Sequence, residues 1–509
     1  METELKLLVD PGDVAAFRRH ALLKQHAIEK PHQQLLTSIY FDTPDLYFRR
    51  HGASLRVRQL DGCWVQTLKG STAPSAGLYQ RDEWETPVES AYPDLGALAR
   101  LVKHDAGWSG MLADSALAKP LVTVFTTRVK RTIWMLRLEQ GDDVELALDQ
   151  GAVEHDKTHL PISEIELELK SGDPAHLFDF ALELQNTVPV KIGSETKAEL
   201  GFSLCVPQPS NIAKAGPLKL KPRMTVEQGF ELIVDNCLAQ IEGNARAVVQ
   251  GNDPEGVHQM RVGLRRLHSV LGLFQEIAPC PDALQAEFKW LGEQLGAARD
   301  WEVLAGATLA VLLEKYPERT ELVQLQGRAS ALAAEKRELA AQALSSLRYT
   351  RLLLAFRSWM AGSRWRDSPG KAQRDVLFGR IAKFADDAVD KAHFRLLKRG
   401  KNLRKLDPEK RHRMRIAAKK VRYATEFFRL LYRPGKVKTY LNALSGLQDT
   451  LGKVNDARVA AGLLQKIGDS DPGLVRAAGF AEGWLAAQSE AGISALSREW
   501  KQFKAVPVN

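Results

Sequence analysis

The stretch "ISEIELELK", residues 162–170, sets three glutamates against three aliphatic side chains in strict alternation. In an extended chain successive side chains leave on opposite faces, so Glu164, Glu166 and Glu168 share one face while Ile165, Leu167 and Leu169 share the other. The same grammar recurs outward from there. "METELKLLVD" at 1–10 puts Glu2, Glu4 and Lys6 together, and Arg56/Arg58, Thr67/Lys69, Arg81/Glu83/Glu85 and Glu145/Asp149 each fall on a single face. Arg128 and Arg137 each add one cation from a neighbouring strand. These short period-two segments, parted by turn residues such as "DG", "QGDD" and "KSGD", continue to about residue 205. Two helical stretches interrupt them, "DPGDVAAFRRHALLKQ" and "DPAHLFDFALELQN". Each opens on Asp-Pro, an N-cap followed by a favoured first helical residue.

Taken singly, such a face is what the wet side of an antiparallel sheet presents. The set says more. Charged faces recur on at least six strands, with acids at both sequence ends and arginines between. If the strands close with these faces inward, the bore holds charges that must be paired. A phosphate chain with a divalent metal suits such a bore. Arg and Lys neutralise phosphate oxygens, Arg bidentately, whereas carboxylates reach phosphate only through Mg²⁺ or Mn²⁺.

The 509-residue chain is too long for one core. "PQPSNIAKAGPLKLKP", at 207–222, lacks periodicity and holds four prolines. It predicts a linker over 206–221 between a strand-rich domain at 1–205 and a nearly all-helical one at 222–509. The expected fold class is therefore α+β plus all-α. The charged N-terminus has no signal-peptide core, and the longest apolar run, "VLAGATLAVLL", is too short for the ~18 residues of a membrane span. Four cysteines without CxxC spacing read as reduced thiols. A cytoplasmic protein with no membrane partner is expected.

Net charge is +9, but residues 391–440 carry 18 Lys and Arg against three acids. Such an island implies a polyanionic partner. It sits in the second copy of a duplication: "DPEGVHQMRVGLRRLHSVLGLF" begins at Asp253 and "DPEKRHRMRIAAKKVRYATEFF" at Asp407. Projected at ~100° per residue, each helix has a buried stripe (Met260, Leu264, Leu267, Leu271, Phe274; Met414, Ala418, Val421, Thr425, Phe428). Beside it runs a basic stripe: His258, Arg261, Arg265 and His268, matched by His412, Arg415, Lys419 and Arg422. Arg266 and Lys420 lie apart from it but correspond. Nucleic acid is disfavoured as the partner, because no recognition motif or aromatic stacking platform accompanies the stripe.

"ETELK", "YFDTPDLYFRRHGASLRVR", "WVQTLKG", "RDEWE", "ELALDQG", "EIELEL" and "IGSETKAELGF" resemble the CYTH, or triphosphate tunnel metalloenzyme, superfamily over residues 1–204. The resemblance implies an eight-stranded antiparallel β-tunnel with flanking helices that hydrolyses triphosphates with Mg²⁺ or Mn²⁺. Glu2, Glu4, Glu164 and Glu166, with Glu168 and Asp149, would then hold metal. Lys6, Arg56, Arg58, Lys69, Arg81, Arg128, Arg137, Lys191 and Lys197 would contact phosphate, with Glu4, Lys6 and Glu166 catalytic. "HQMRVGLRRL", "LGAARDWEVL", "RHRMRIAAKKVRY" and "LQDTLGKVNDARVA" resemble the CHAD family over about 222–509. This second resemblance implies a pseudo-twofold helical bundle binding inorganic polyphosphate. By the stripes above, His258, Arg261, Arg265, Arg266, His412, Arg415, Lys419, Lys420 and Arg422 would contact it, while Asp300 and Asp456 read as structural partners of arginines. Together the resemblances favour inorganic triphosphate as substrate, with thiamine triphosphatase, class IV adenylate cyclase-like activity and a non-enzymatic polyanion binder as alternatives.

Overall fold

The computed structural model describes every residue except 1, 61, 71–73, 119, 207–211, 252, 367–369, 404–405 and 508–509; part of the expected linker, 207–211, thus lies outside the described residues. The chain forms two units: residues 1–209 with 346–363, and residues 210–345 with 364–509.

The first unit is an antiparallel sheet of ten strands: β1 (Glu2–Val9), β2 (His32–Asp42), β3 (Ala53–Leu60), β4 (Cys63–Gly70), β5 (Leu78–Arg81), β6 (Glu83–Val88), β7 (Val122–Arg137), β8 (Asp143–His155), β9 (Thr158–Ser171) and β10 (Val190–Ile192). Their order is β10-β1-β9-β8-β7-β2-β3-β4-β6, with β5 also on β1. The count exceeds the expected eight for a simple reason. β5 and β6 are one stave interrupted at Asp82, and β10 is a three-residue addition. That broken stave closes the ring: Arg81 pairs with Glu2 on β1, while Glu83 pairs with Lys69 on β4. Gly77 makes the closure possible. Its φ of 81° and its carbonyl, accepting from the Lys6 N–H at 2.9 Å, leave no space for a side chain.

Apolar faces of the staves point outward onto short helices. Phe17 meets Trp134 edge to face at 5.8 Å, and Leu5, Leu7, Ile165 and Leu167 are fully buried. Asp173 caps helix Pro174–Leu184 as its sequence predicts. Asp10-Pro11 does not do the same. Gly12 follows it, Asp10 closes a turn on the Gly12 N–H, and the helix starts only at Val14.

One segment groups across the expected division. Helix Leu347–Ala361, inside the stretch expected to be wholly C-terminal, belongs to the first unit. It packs on helix Pro174–Leu184, with Ser358 Oγ donating to Asp179 at 2.6 Å and Arg351 donating to Asn186 at 3.0 Å.

The second unit is helical. Helix Val226–Glu242 packs on Pro254–Leu273, and Ile381–Arg399 packs on Pro408–Phe428. Asp253 and Asp407 cap the repeated helices, and all ten residues of the two expected buried stripes are buried. Helices Pro434–Ser470 and Val475–Lys504 pack along one another. Among the described residues no helix is long and apolar enough to cross a membrane.

Candidate active site

A cavity of about 650 Å³ opens into the ring. Glu2, Glu4, Lys6, Arg56, Arg58, Lys69, Arg81, Glu166, Glu168 and Lys197 all line it. Alternation delivers these side chains, because cross-strand partners share a face: Glu4 lies beside Glu168 and Glu168 beside Glu145, while Lys6 lies beside Glu166. Three expected contacts fail. Arg128 has the opposite parity and pairs outside with Glu154 at 3.1 Å. Arg137 has the correct parity but lies six residues, roughly 20 Å, beyond Arg131, where it meets Asp143 in solvent. Lys191 pairs with Leu8, past the closed part of β1, and both are exposed.

The β7 cation that does face inward is Arg131, which the sequence reading missed. It donates to Asp149 at 2.7 and 2.6 Å and also to Glu166. Its signal was parity: Arg131 is the partner of Asp149 in the β7–β8 ladder. Lys197 lies 2.7 Å from both Asp149 and Glu166 and also pairs with Glu164. Lys6 is 2.9 Å from Glu164 and 3.4 Å from Glu166. Burial alone would lower the pKa of both lysines, but the carboxylates outweigh it and hold them above the usual range. Burial likewise works against ionised Glu166, yet Lys197, Arg131 and Lys6 keep it well below the usual carboxylate range.

A second wall is cationic. Arg56 reaches Glu83 and Glu85 only at 3.6 and 3.7 Å, and Arg58 donates to Ser38 Oγ at 2.9 Å. Burial, with Arg56 and Arg131 nearby, drops the Arg58 pKa to about 9 against the opposing pull of Tyr40 and Asp149. Arg49 joins this wall, its guanidinium 5.1 Å from the Phe202 ring centroid. The "YFDTPDLYFR" motif places it. Fully buried Asp42 accepts from the Thr43, Phe48 and Arg49 N–H groups at 2.8, 2.9 and 3.0 Å, fixing the turn that carries Arg49.

Which carboxylates could hold a metal follows from what already neutralises them. Asp149, Glu164 and Glu166 offer oxygens within 4.8 Å of one another, ligand-like spacing, but Lys197 bridges all three. Glu4 differs. Its Oε2 takes an Arg81 hydrogen bond at 3.3 Å, while its buried Oε1 has no partner among the described residues. Burial and the Glu166 charge push its pKa up to about 7, and burial also raises Glu168. Glu2 is paired with Lys69 and Arg81, each at 3.1 Å, and Glu145 and Glu168 share Lys170 at 3.2 and 2.8 Å. Glu4 is therefore the carboxylate here with an oxygen left to offer a hard divalent cation, whereas Glu2, Glu145 and Glu168 would have to exchange an ammonium or guanidinium partner to join it.

In the second unit, cavities of about 1160 and 990 Å³ share His258, Arg265, Arg415, Lys419, Tyr423 and Asp456 as lining. Arg261, His412 and Lys420 line the second of these cavities, and Arg422 lines the first. The pairings Arg261–Asp300 and Arg415–Asp456 are long, 3.9 and 3.8 Å. Burial, with Arg265 and Arg415 beside it, lowers the Lys419 pKa to about 7. Arg266 departs from the expected role: although it borders the first cavity, it is 6% exposed, donates to Gln240 and Asn236, and stacks on Phe427. Arg422 is partly engaged as well, with Glu426 at 2.7 Å.

The CYTH domain family matches residues 1–202, and the CHAD domain family matches residues 232–465. The chain joins a CYTH domain to a CHAD domain. Over 205 residues the CYTH part is 34% identical to the inorganic triphosphatase of Haemophilus influenzae, covering 40% of this chain and 54% of that protein. The chain thus spans about half the length of that relative. The CHAD part is similar to the crystal structure of the CHAD domain from the plant Ricinus communis: 40% identity, TM-score 0.53, covering 58% of this chain and 98% of that one.

Proposed function

We propose that the CYTH tunnel hydrolyses inorganic triphosphate to pyrophosphate and phosphate, supported by Mg²⁺ or Mn²⁺, and that the CHAD unit binds inorganic polyphosphate. One observation carries the first part: a wall of guanidiniums, Arg49, Arg56 and Arg58, two of which (Arg49 and Arg58) have no carboxylate ion pair among the described residues, shares a cavity with carboxylates that include, among the described residues, an unpartnered oxygen on Glu4. Guanidinium forks would hold the anionic chain and stabilise charge developing on the transferred group. A metal on Glu4 would supply further phosphate neutralisation and a positioned water. Lys6 and Lys197, pinned by Glu164 and Glu166, hold fixed positive charge at the cavity wall. The curated triphosphatase relative supports the same reaction class.

The test is phosphate release from tripolyphosphate, thiamine triphosphate, ATP and long-chain polyphosphate, with Mg²⁺ or Mn²⁺ and with chelator. Rapid release from tripolyphosphate alone, abolished by chelator, is expected. Conversion of ATP to a cyclic nucleotide would replace this reading with a cyclase. For the CHAD unit, charge reversal at Arg415 and Lys419 should weaken long-chain polyphosphate binding at least ~10-fold, through loss of charge-assisted contacts. Equal affinity for duplex DNA at physiological salt would overturn the polyphosphate assignment.

A further inference from the structure

Glu4, Glu168 and Glu145 stand side by side on β1, β9 and β8, since the ladders pair Glu4 with Glu168 and Glu168 with Glu145. All three line the tunnel cavity. Like charges directly opposite one another destabilise a sheet, so three carboxylates in a row call for cations. They are served unequally. Glu4 Oε2 accepts one Arg81 hydrogen bond at 3.3 Å, and its buried Oε1 has no partner among the described residues. Glu145 and Glu168 share a single ammonium: Lys170 Nζ lies 3.2 Å from Glu145 Oε2 and 2.8 Å from Glu168 Oε1.

An irregularity in the sheet places that ammonium. Val144 pairs with Leu169 and Asp143 with Ser171, so β9 carries one residue more than β8 here, and Lys170 has no opposite number on β8. A bulge of this kind bends the strand and re-aims a side chain. Lys170 lines the cavity beside both acids it bridges. The chain uses the same device deeper in the ring. Asp149, Glu164 and Glu166 offer oxygens within 4.8 Å of one another, and Lys197 sits among them, 2.7 Å from Asp149 and from Glu166. The two lysines differ in access: the side chain of Lys197 is 9% exposed and that of Lys170 37%.

We propose that Lys170 stands in for a second divalent cation, so that the tunnel takes one metal ion, on Glu4, and neutralises Glu145 and Glu168 with its own side chain. Lys170 has this role within the metal-supported tunnel proposed above. Its ammonium meets the electrostatic demand of two carboxylates that a hard cation would otherwise share. Being tethered, it does so at every metal concentration.

The test counts ions and needs no turnover. Full-length wild type, K170Q, K170R and K170Q/E145Q are stripped with chelator and titrated calorimetrically with Mn²⁺. Electron paramagnetic resonance then separates isolated from spin-coupled ions. K170Q should bind one Mn²⁺ more than wild type, K170R should keep the wild-type count, and K170Q/E145Q should return to it. A K170Q count equal to wild type overturns the role of Lys170. So does a gain that survives E145Q, which would be a general effect of lost positive charge. A spin-coupled pair in wild type overturns it without any variant, so the outcome does not hang on K170Q folding. The metal reading can fail separately: if wild type binds no Mn²⁺ and K170Q binds one, the Glu4 site is refuted while the role of Lys170 stands.

Discussion

Glu4 and Glu166 face one cavity and meet opposite environments. Glu166 is held by Lys6, Arg131 and Lys197, whereas one oxygen of Glu4 has no partner among the described residues. Replacing Glu4 with Gln keeps the shape, removes a desolvated charge and deletes a metal donor. The expected outcome is at least a ~100-fold loss of turnover with a melting temperature equal to or above wild type; full activity in E4Q would dismiss Glu4 from the site. Arg131 and Arg128 provide a matched pair of substitutions. Arg131→Met removes the Arg131 hydrogen bonds to Asp149, which is 0% exposed, and leaves it to Lys197 at 2.7 Å, so it should cost about 1.5–3 kcal/mol in denaturant unfolding. Arg128→Ala breaks only a surface pair, so stability should move by less than ~1 kcal/mol and KM should not change. Sequence alone located most of the cavity lining, since alternation fixes which face a residue occupies. It misassigned Arg137 and Lys191 because alternation says nothing about how far along the stave the cavity extends.

At the scale of elements, the strands were legible because one face is apolar and the other ionic, so a register slip would invert both. The broken stave at Asp82 was not legible: a one-residue interruption that lets the two halves pair with different neighbours is decided by closure, not by local propensity. Repeated Asp-Pro-Glu starts gave the helix pair, and its buried stripes followed. Packing that pair together also buries Lys419 and brings it under Arg265 and Arg415, which together lower its pKa to about 7. Below pH 7 Lys419 is charged and can hold an anion; as pH rises through 7 that charge is lost. Polyphosphate affinity measured at pH 6 and pH 8 should therefore fall with rising pH, and K419Q should flatten the part of the slope owed to this residue. A wild-type affinity independent of pH would remove Lys419 from the contact set.

At the scale of the whole molecule, the sequence marked two grammars, and helix Leu347–Ala361 is where chain order and packing part: it lies within the span that the CHAD family matches yet groups with the first unit. Its composition is that of the helices around it, and nothing local states which core a helix will cover. Leu352 and Leu353, 1% and 3% exposed, belong to the first unit although they follow its strands by far in the chain. A fragment ending at residue 206 lacks this helix and should melt at least ~5 °C below the corresponding transition of the intact chain, a shift of roughly 1–3 kcal/mol for a domain of this size. Equal melting temperatures would show that the helix contributes nothing to the unit it covers.

That helix also sets an order of events at the ribosome. With translation at ~5–20 residues per second, residues 210–345 take on the order of ten seconds to emerge after the last strand of the ring. For that interval the nascent tunnel waits with one flank bare, so its final form is acquired only after much of the following unit has been synthesised.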